Sequence, residues 1–236
     1  PANYRKTSYI SRNYSPLPLF LNDLHKSSFG FGNPDVTIRS MLSVVYFDLG
    51  GVVFRDFYSG AEGPMVEFLG LPRKRILQAY EKTDVPEYCD GSMDELRRWK
   101  LFTDELGLPG ERIEECIEVY YDSFRPIPET KTFVQELRNN YPQLRLGVLS
   151  DQPVRAAQLL RNDYRELLLL FEPKLTLISC EVGLTKRDKR LGLFKEAIRR
   201  TGKPAGEILF VDNSMKNVES AKTVGIKGFF FDIEHE

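Results

Sequence analysis

At four places in this sequence polar residues stand at or just after the end of a strand-like apolar run. The run "VVYFDLGGVVF" (44–54) carries Asp48, "LGVLSD" ends in Ser150 and Asp151, "SCEVGLTKRDKR" offers Lys186, and "ILFVDNS" ends in Asp212 and Asn213. A carboxylate closing a buried strand can act as a nucleophile, as a ligand for a hard cation, or as both; it can also simply cap a turn. The "LGG" after Asp48 is small enough for its backbone N–H groups to approach an anion. A hydroxyl at Ser150 can donate to a phosphate oxygen or cap the helix that follows. Lys186 can offset anionic charge or be one solvated lysine in a basic stretch. Asp212 and Asn213 can be ligands or caps.

These residues need elements to hold them. "SVVYFDL" is a continuous apolar, β-branched run, as expected of a strand covered on both faces. Further strands are expected at "LRLGVLS" (144–150), "LTLIS" (175–179), "EILFV" (207–211) and "IKGFFF" (226–231), with helices at "PVRAAQLLRND", "LFKEAIRRTG" and "MKNVESAKTVG" between them. Strands alternating with helices predict an α/β fold, a Rossmann-like doubly wound parallel sheet. A helical stretch interrupts the alternation after the first strand. Within it, Ser92 and Glu95 read as a capping box, Leu96, Trp99, Phe102 and Leu106 recur at helical spacing, and Gly107 stops the helix. Two more helices are expected at 111–124 and 129–141. The organisation expected is therefore a core of 41–58 and 128–236, a small helical cap at 59–127, and a leader at 1–40 that is flexible or non-native.

The chain has 236 residues, room for one sizeable α/β core with an insertion. A formal net charge of −1 gives no basic field for nucleic acid or an anionic membrane surface. No apolar run approaches the ~20 residues of a membrane helix. Cys89, Cys116 and Cys180 are widely spaced and odd in number, which fits buried thiols in a reducing, cytoplasmic setting. The leader is rich in Ser, Pro, Asn and Tyr, with five Lys or Arg residues against Asp23 and Asp35. Organellar targeting by residues 1–40, or a partner-binding arm, stays open beside the reading as a leader.

Taken in order, the four strand ends resemble the motifs of the haloacid dehalogenase-like hydrolases, in the branch with a helical cap after the first motif. "FDLGGVVF" resembles the first motif, "VLSD" the second, "SCEVGLTK" the third, and "ILFVDNSMKNVESAKTVGI" the fourth with its helix, Asn217 and Ala221 included. The resemblance covers about residues 42–233. It implies phosphate-ester hydrolysis through an aspartyl-phosphate on Asp48, with Ser150 and the "LGG" amides holding phosphate oxygens and Lys186 offsetting charge. It also implies Mg2+ held by Asp48, the Gly50 carbonyl and the Asp212/Asn213 pair, and a small phosphorylated metabolite as substrate. Leaving-group contacts are expected from the insertion, with Asp56, Tyr58, Glu87 and Arg98 as candidates.

The sequence departs from that pattern in four places. Gly50 stands where most such phosphatases carry a second Asp that serves as general acid, and losing a positioned proton donor costs about 10²–10⁴ in rate. Asn213 stands where a directly ligating Asp is usual, leaving Asp212 as substitute or outer ligand. Asp151 replaces a common Asn and is either a displaced acid/base or a charge that repels phosphate. Arg187 replaces a usual proline. Two other readings follow: an impaired domain that binds a ligand or a protein partner, and a metal-independent haloacid dehalogenase using the same Asp48.

Overall fold

The computed structural model describes residues 42–231, and the readings made for residues 1–40 lie outside it. Five parallel strands form one sheet: β1 (Val44–Phe47), β2 (Arg145–Ser150), β3 (Thr176–Ile178), β4 (Ile208–Asp212) and β5 (Lys227–Phe230), in the order β3-β2-β1-β4-β5. β1 is central, with Val44 in register with Arg145 of β2 and with Ile208 of β4. Its four side chains are fully buried. This explains its unbroken apolar sequence, since helices cover a parallel sheet on both faces. Val45 and Phe47 face one core layer, while Val44 and Tyr46 face another built with Phe194 and Phe210.

Directly after β1 the chain folds back on itself. The N–H groups of Val52, Val53 and Phe54 all donate to the carbonyl of Leu49. Gly51 takes φ +72° in this loop, and a Cβ there would lie 1.9 Å from Asn213 Nδ2, so only glycine lets the loop press against the end of β4. Asp56 then starts a π-helical turn (Phe57–Ala61), its Oδ1 accepting from the Ser59 N–H and hydroxyl at 2.8 and 2.7 Å.

Five helices complete the insertion: α1 (Glu62–Leu69), α2 (Arg73–Thr83), α3 (Pro86–Cys89), α4 (Glu95–Leu106) and α5 (Arg112–Asp122). The outgoing and returning chains pair through Arg55 N–H to the Arg125 carbonyl and Ile127 N–H to the Val53 carbonyl, and Phe54 stacks on Phe124 at 4.7 Å. α6 (Pro128–Asn140) leads into β2. The expected cap for α4 is corrected: Asp94, not Ser92, accepts from the Arg97 N–H at 2.8 Å. Glu95 instead turns inward, taking hydrogen bonds from the Tyr88 and Tyr121 hydroxyls and the Trp99 indole. Trp99 is core, and Gly107 caps the C-terminus at φ +67°.

The remaining helices separate the later strands: α7 (Val154–Asn162), α8 (Arg165–Leu168), α9 (Ser179–Val182), α10 (Gly192–Thr201) and α11 (Met215–Thr223). Close packing of β2 on β1 depends on Gly147, where a Cβ would meet the Tyr46 ring at 2.6 Å and the Leu175 carbonyl at 2.8 Å. Gly147→Ala therefore lowers stability by about 1–3 kcal/mol, read as a shifted urea midpoint with an unchanged slope.

Candidate active site

All five strands run the same way, so their carboxyl ends share one edge of the sheet. β1 lies between β2 and β4, where the strand order reverses and an open crevice forms. Asp48 follows β1, and its backbone N–H donates to the Val211 carbonyl at 2.9 Å, continuing the ladder with β4. Ser150 is the last residue of β2 and is fully buried. Asp212 ends β4 and is likewise fully buried. After β3, the short helix α9 ends at Gly183 and a turn delivers Lys186, whose N–H donates to Asp151 Oδ1 at 2.9 Å.

Lys186 is not a solvated lysine: it is 4% exposed. Its ammonium lies 2.8 Å from Asp48 Oδ2 and 2.8 Å from Asp212 Oδ2. Burial alone would lower the lysine, but Asp212, Asp48 and Asp151 outweigh it and hold it charged, well above the usual range. Burial raises Asp48 above the ordinary carboxylate range and Asp212 adds to the rise, while Lys186 and a hydrogen bond with Ser150 pull it back. Asp48 Oδ1 accepts from the Leu49 N–H at 2.8 Å. The carboxylate is therefore held in one orientation from both ends. Asp212 is saturated: Oδ2 takes Lys186 and Asn217, and Oδ1 takes the Ser214 N–H and Asn217.

A cavity of about 440 Å³ opens beside Asp48, with Gly50, Asp151, Lys186 and Asn213 in its wall. The insertion supplies an aromatic side to it, from Phe57, Tyr58, Tyr80, Tyr88, Tyr120 and Phe124. Of the insertion candidates, Asp56 and Tyr58 line the cavity. Glu87 is exposed elsewhere, and Arg98 is buried behind the wall, 4.5 Å from the Tyr80 ring centre and 4.3 Å from that of Trp99. Asp151 is tied to the Lys186 N–H and lies 3.6 Å from Arg187 Nε, which makes it a brace for the lysine turn. The "LGG" amides are fewer than expected as anion donors. Leu49 N–H is spent on Asp48 and Gly51 N–H on the Phe54 carbonyl, leaving Gly50 N–H.

Gln152 and Arg187 line the cavity without a role expected from the sequence, and Asp56 was expected there only for the leaving group. Gln152 is 6% exposed and donates from Nε2 to Ser150 Oγ at 3.0 Å. Arg187 spans core and insertion, reaching the Asp84 carbonyl at 2.9 Å and Oδ2 at 3.0 Å, and Cys89 Sγ at 3.2 Å. Asp56 Oδ2 faces Asn213 Nδ2 at 3.3 Å. Each is one polar residue without a periodic pattern around it, so spacing gave no signal. Cys89 is no nucleophile, since burial pushes its thiol up to about 12 despite Arg187.

For a cation, the available donors are hard oxygens: the Asp48 carboxylate, the Gly50 carbonyl and the Asn213 side-chain carbonyl, all on the cavity wall. Magnesium takes one or two carboxylates and completes its shell with water, so this donor set fits it. Among the described residues no three His, Cys, Asp or Glu side chains converge on one point. The saturated Asp212 fits an outer position, orienting Lys186 and Asn217, better than direct ligation.

The ion-pair geometry generates a stability test. Lys186→Met leaves two buried carboxylates facing each other without a counter-charge, which costs about 3–5 kcal/mol. Adding Asp212→Asn to that variant recovers part of the loss, and chemical denaturation of the three proteins measures both steps.

No protein-family model matches the chain. Chloroplastic flavin mononucleotide hydrolase 1 of Arabidopsis thaliana is 24% identical over 207 residues, 84% of this chain and 76% of that protein. Drimenol cyclase drtB of Aspergillus calidoustus is 25% identical over 203 residues, and the chain spans only 35% of its length. Among solved structures, a predicted HAD-like family hydrolase from Porphyromonas gingivalis superposes with a TM-score of 0.57 at 21% identity, over 81% of this chain and 92% of that one. A HAD family enzyme from Bacteroides thetaiotaomicron in complex with magnesium and inorganic phosphate gives 0.59 at 16%, over 83% and 96%. L-2-haloacid dehalogenase from Xanthobacter autotrophicus, with chloropropionic acid covalently bound, gives 0.58 at 17%, over 82% and 80%. The parallel sheet, its strand order and the helical insertion after β1 thus give this chain the fold of the haloacid dehalogenase-like hydrolases.

Proposed function

We propose that the chain is a magnesium-dependent phosphatase of small-molecule monoesters that works through an aspartyl-phosphate on Asp48. The observation that carries this reading is the Asp48 carboxylate, fixed at a strand end and 2.8 Å from the buried Lys186 ammonium. Asp48 attacks phosphorus, the ester P–O bond breaks, and the leaving oxygen departs towards the insertion, which acts as the cap. Water then releases phosphate and restores the carboxylate. Like charges repel in the first step, so positive charge and alignment carry most of the catalysis. Lys186 offsets charge and the Gly50 N–H orients the phosphate oxygens, while Ser150, fully buried and outside the cavity wall, holds the Asp48 carboxylate rather than phosphate. Asp48, the Gly50 carbonyl and Asn213 would hold magnesium, which supplies further positive charge when bound.

Gly50 shapes the substrate range. With no carboxylate there to protonate the leaving oxygen, leaving groups of low pKa are favoured. The aromatic wall suits a leaving group with a flat or apolar face, and the flavin mononucleotide hydrolase relative makes that ester a reasonable member of a screen. The expected result is magnesium-dependent turnover of p-nitrophenyl phosphate, faster by about 10²–10⁴ than of a simple alkyl phosphate. EDTA and Asp48→Asn should each abolish it, and no turnover above the Asp48→Asn background overturns the reading.

Two departures favour a second reading, an impaired domain that binds a phosphorylated ligand or a partner without turnover. Gly50 and Asn213 each remove a carboxylate from the site. Calorimetry separates the readings. Asn213→Asp should tighten magnesium binding by about tenfold, with turnover rising in parallel only if the site is catalytic. Chloride release from 2-chloropropionate without magnesium would instead support the dehalogenase reading, which has a structural neighbour of that activity.

A further inference from the structure

The missing side chain at Gly50 leaves a space next to the nucleophile, and the structure shows what borders it. A Cβ built on Gly50 would have two neighbours within 4 Å: Asp56 Cβ at 3.5 Å and Gln152 Nε2 at 3.8 Å. Of these two atoms, only the amide nitrogen can hydrogen-bond. Gln152 is held to this position from both sides. Its backbone N–H donates to Ser179 Oγ at 2.8 Å, whose hydroxyl is itself fixed by donating to the Cys89 carbonyl at 2.6 Å. One N–H of its carboxamide goes to Ser150 Oγ. The second N–H and Oε1 have no partner among the described residues, yet the residue lines the cavity beside Asp48. A carboxamide anchored on one side with a donor and an acceptor open to a cavity can hold a water there.

We propose that Gln152 holds the water that hydrolyses the aspartyl-phosphate. This inference rests on the phosphatase reading. Oε1 accepts a hydrogen bond from the water while the free Nε2–H steadies a phosphoryl oxygen. The water oxygen forms the new bond to phosphorus, the bond from phosphorus to the Asp48 oxygen breaks, and its electron pair returns to the carboxylate. Both water hydrogens leave on the product as dihydrogen phosphate, so no carboxylate at Gly50 is required. The bond to Ser150 gives Gln152 a further effect. Ser150 Oγ already accepts from Gln152 and, at 3.4 Å, from the Leu49 N–H, which leaves its own proton for Asp48.

The test is pre-steady-state hydrolysis of p-nitrophenyl phosphate with magnesium, read together with the intact mass of the protein. Gln152→Ala should keep a burst of about one equivalent of nitrophenol and then slow by about 10² in steady state. Asp48 should accumulate the added mass of a phosphoryl group. Gln152→Met, which keeps the volume but has no carboxamide, should behave alike and guards against a collapse of the alanine variant. Gly50→Asp, for which the structure leaves ordinary contact distances, should restore the steady rate when combined with either. Equal loss of burst and steady rate without phosphoenzyme, or an unchanged steady rate, overturns the role of Gln152 while leaving the phosphatase reading in place. A wild-type protein no faster than Asp48→Asn overturns both.

Discussion

The site depends on one buried ammonium held between two carboxylates. Among the described residues Lys186 is the cation that pairs with both Asp48 and Asp212; Asp212 is fully buried, and Asp48 is open only towards the cavity. Buried pairs of this kind contribute little to stability relative to apolar packing, but breaking them is costly. Their value lies in fixing geometry. Asp48 cannot rotate without leaving Lys186, and Lys186 cannot withdraw without stranding two charges. The lysine turn is in turn braced by Asp151 on its backbone N–H, and Asp212 is kept in place by Asn217 and the Ser214 N–H.

Much of the fold serves that constraint. A central parallel strand can be apolar along its whole length and still end in one carboxylate, because the sheet edge is where backbone ladders stop and polar groups are available. The loop after β1 must then turn away at once so that the insertion can stand over the site. Gly51, with its positive φ and the Asn213 amide against its Cα, makes that possible. Arg187 ties the insertion to the same turn that carries Lys186, through Asp84 and Cys89. The position of the insertion and the placement of the lysine are thus tied together by adjacent residues.

The sheet was legible in the sequence because periodicity and turn residues report directly on burial. Four of the five strands fall within the expected runs, and β4 runs one residue past its own, to Asp212. Asp48, Ser150 and Asp212 were legible because they close apolar runs, whereas Lys186, in a turn well past β3, was legible through the order of the motifs; the structure brings the four together. The start of α4 was misplaced because Ser92 and Asp94 are equally good caps by type, and only the inward turn of Glu95 decides between them. The π-helical turn at Phe57–Ala61 has no periodic signature at five residues. Gln152 and Arg187 act through contacts with Ser150 and Asp84, and such pairings across the fold leave no trace in local spacing.

The neutral residue at Asn213 has a consequence that follows from charge alone. Asp48, Asp212 and Lys186 leave one negative charge in excess, and an aspartate at position 213 would make it two. Lys186 is already committed to both carboxylates, so an entering phosphate ester meets an anionic site unless further positive charge is present. With asparagine, the unliganded site repels phosphate less and attracts a divalent cation less. The two effects oppose each other in the loaded site. Magnesium affinity falls with the lost carboxylate, whereas each bound cation leaves more uncompensated positive charge for the phosphoryl group. Under the phosphatase reading, such a site needs a higher magnesium concentration to fill than one carrying aspartate at 213, and repels phosphate less both with and without the cation.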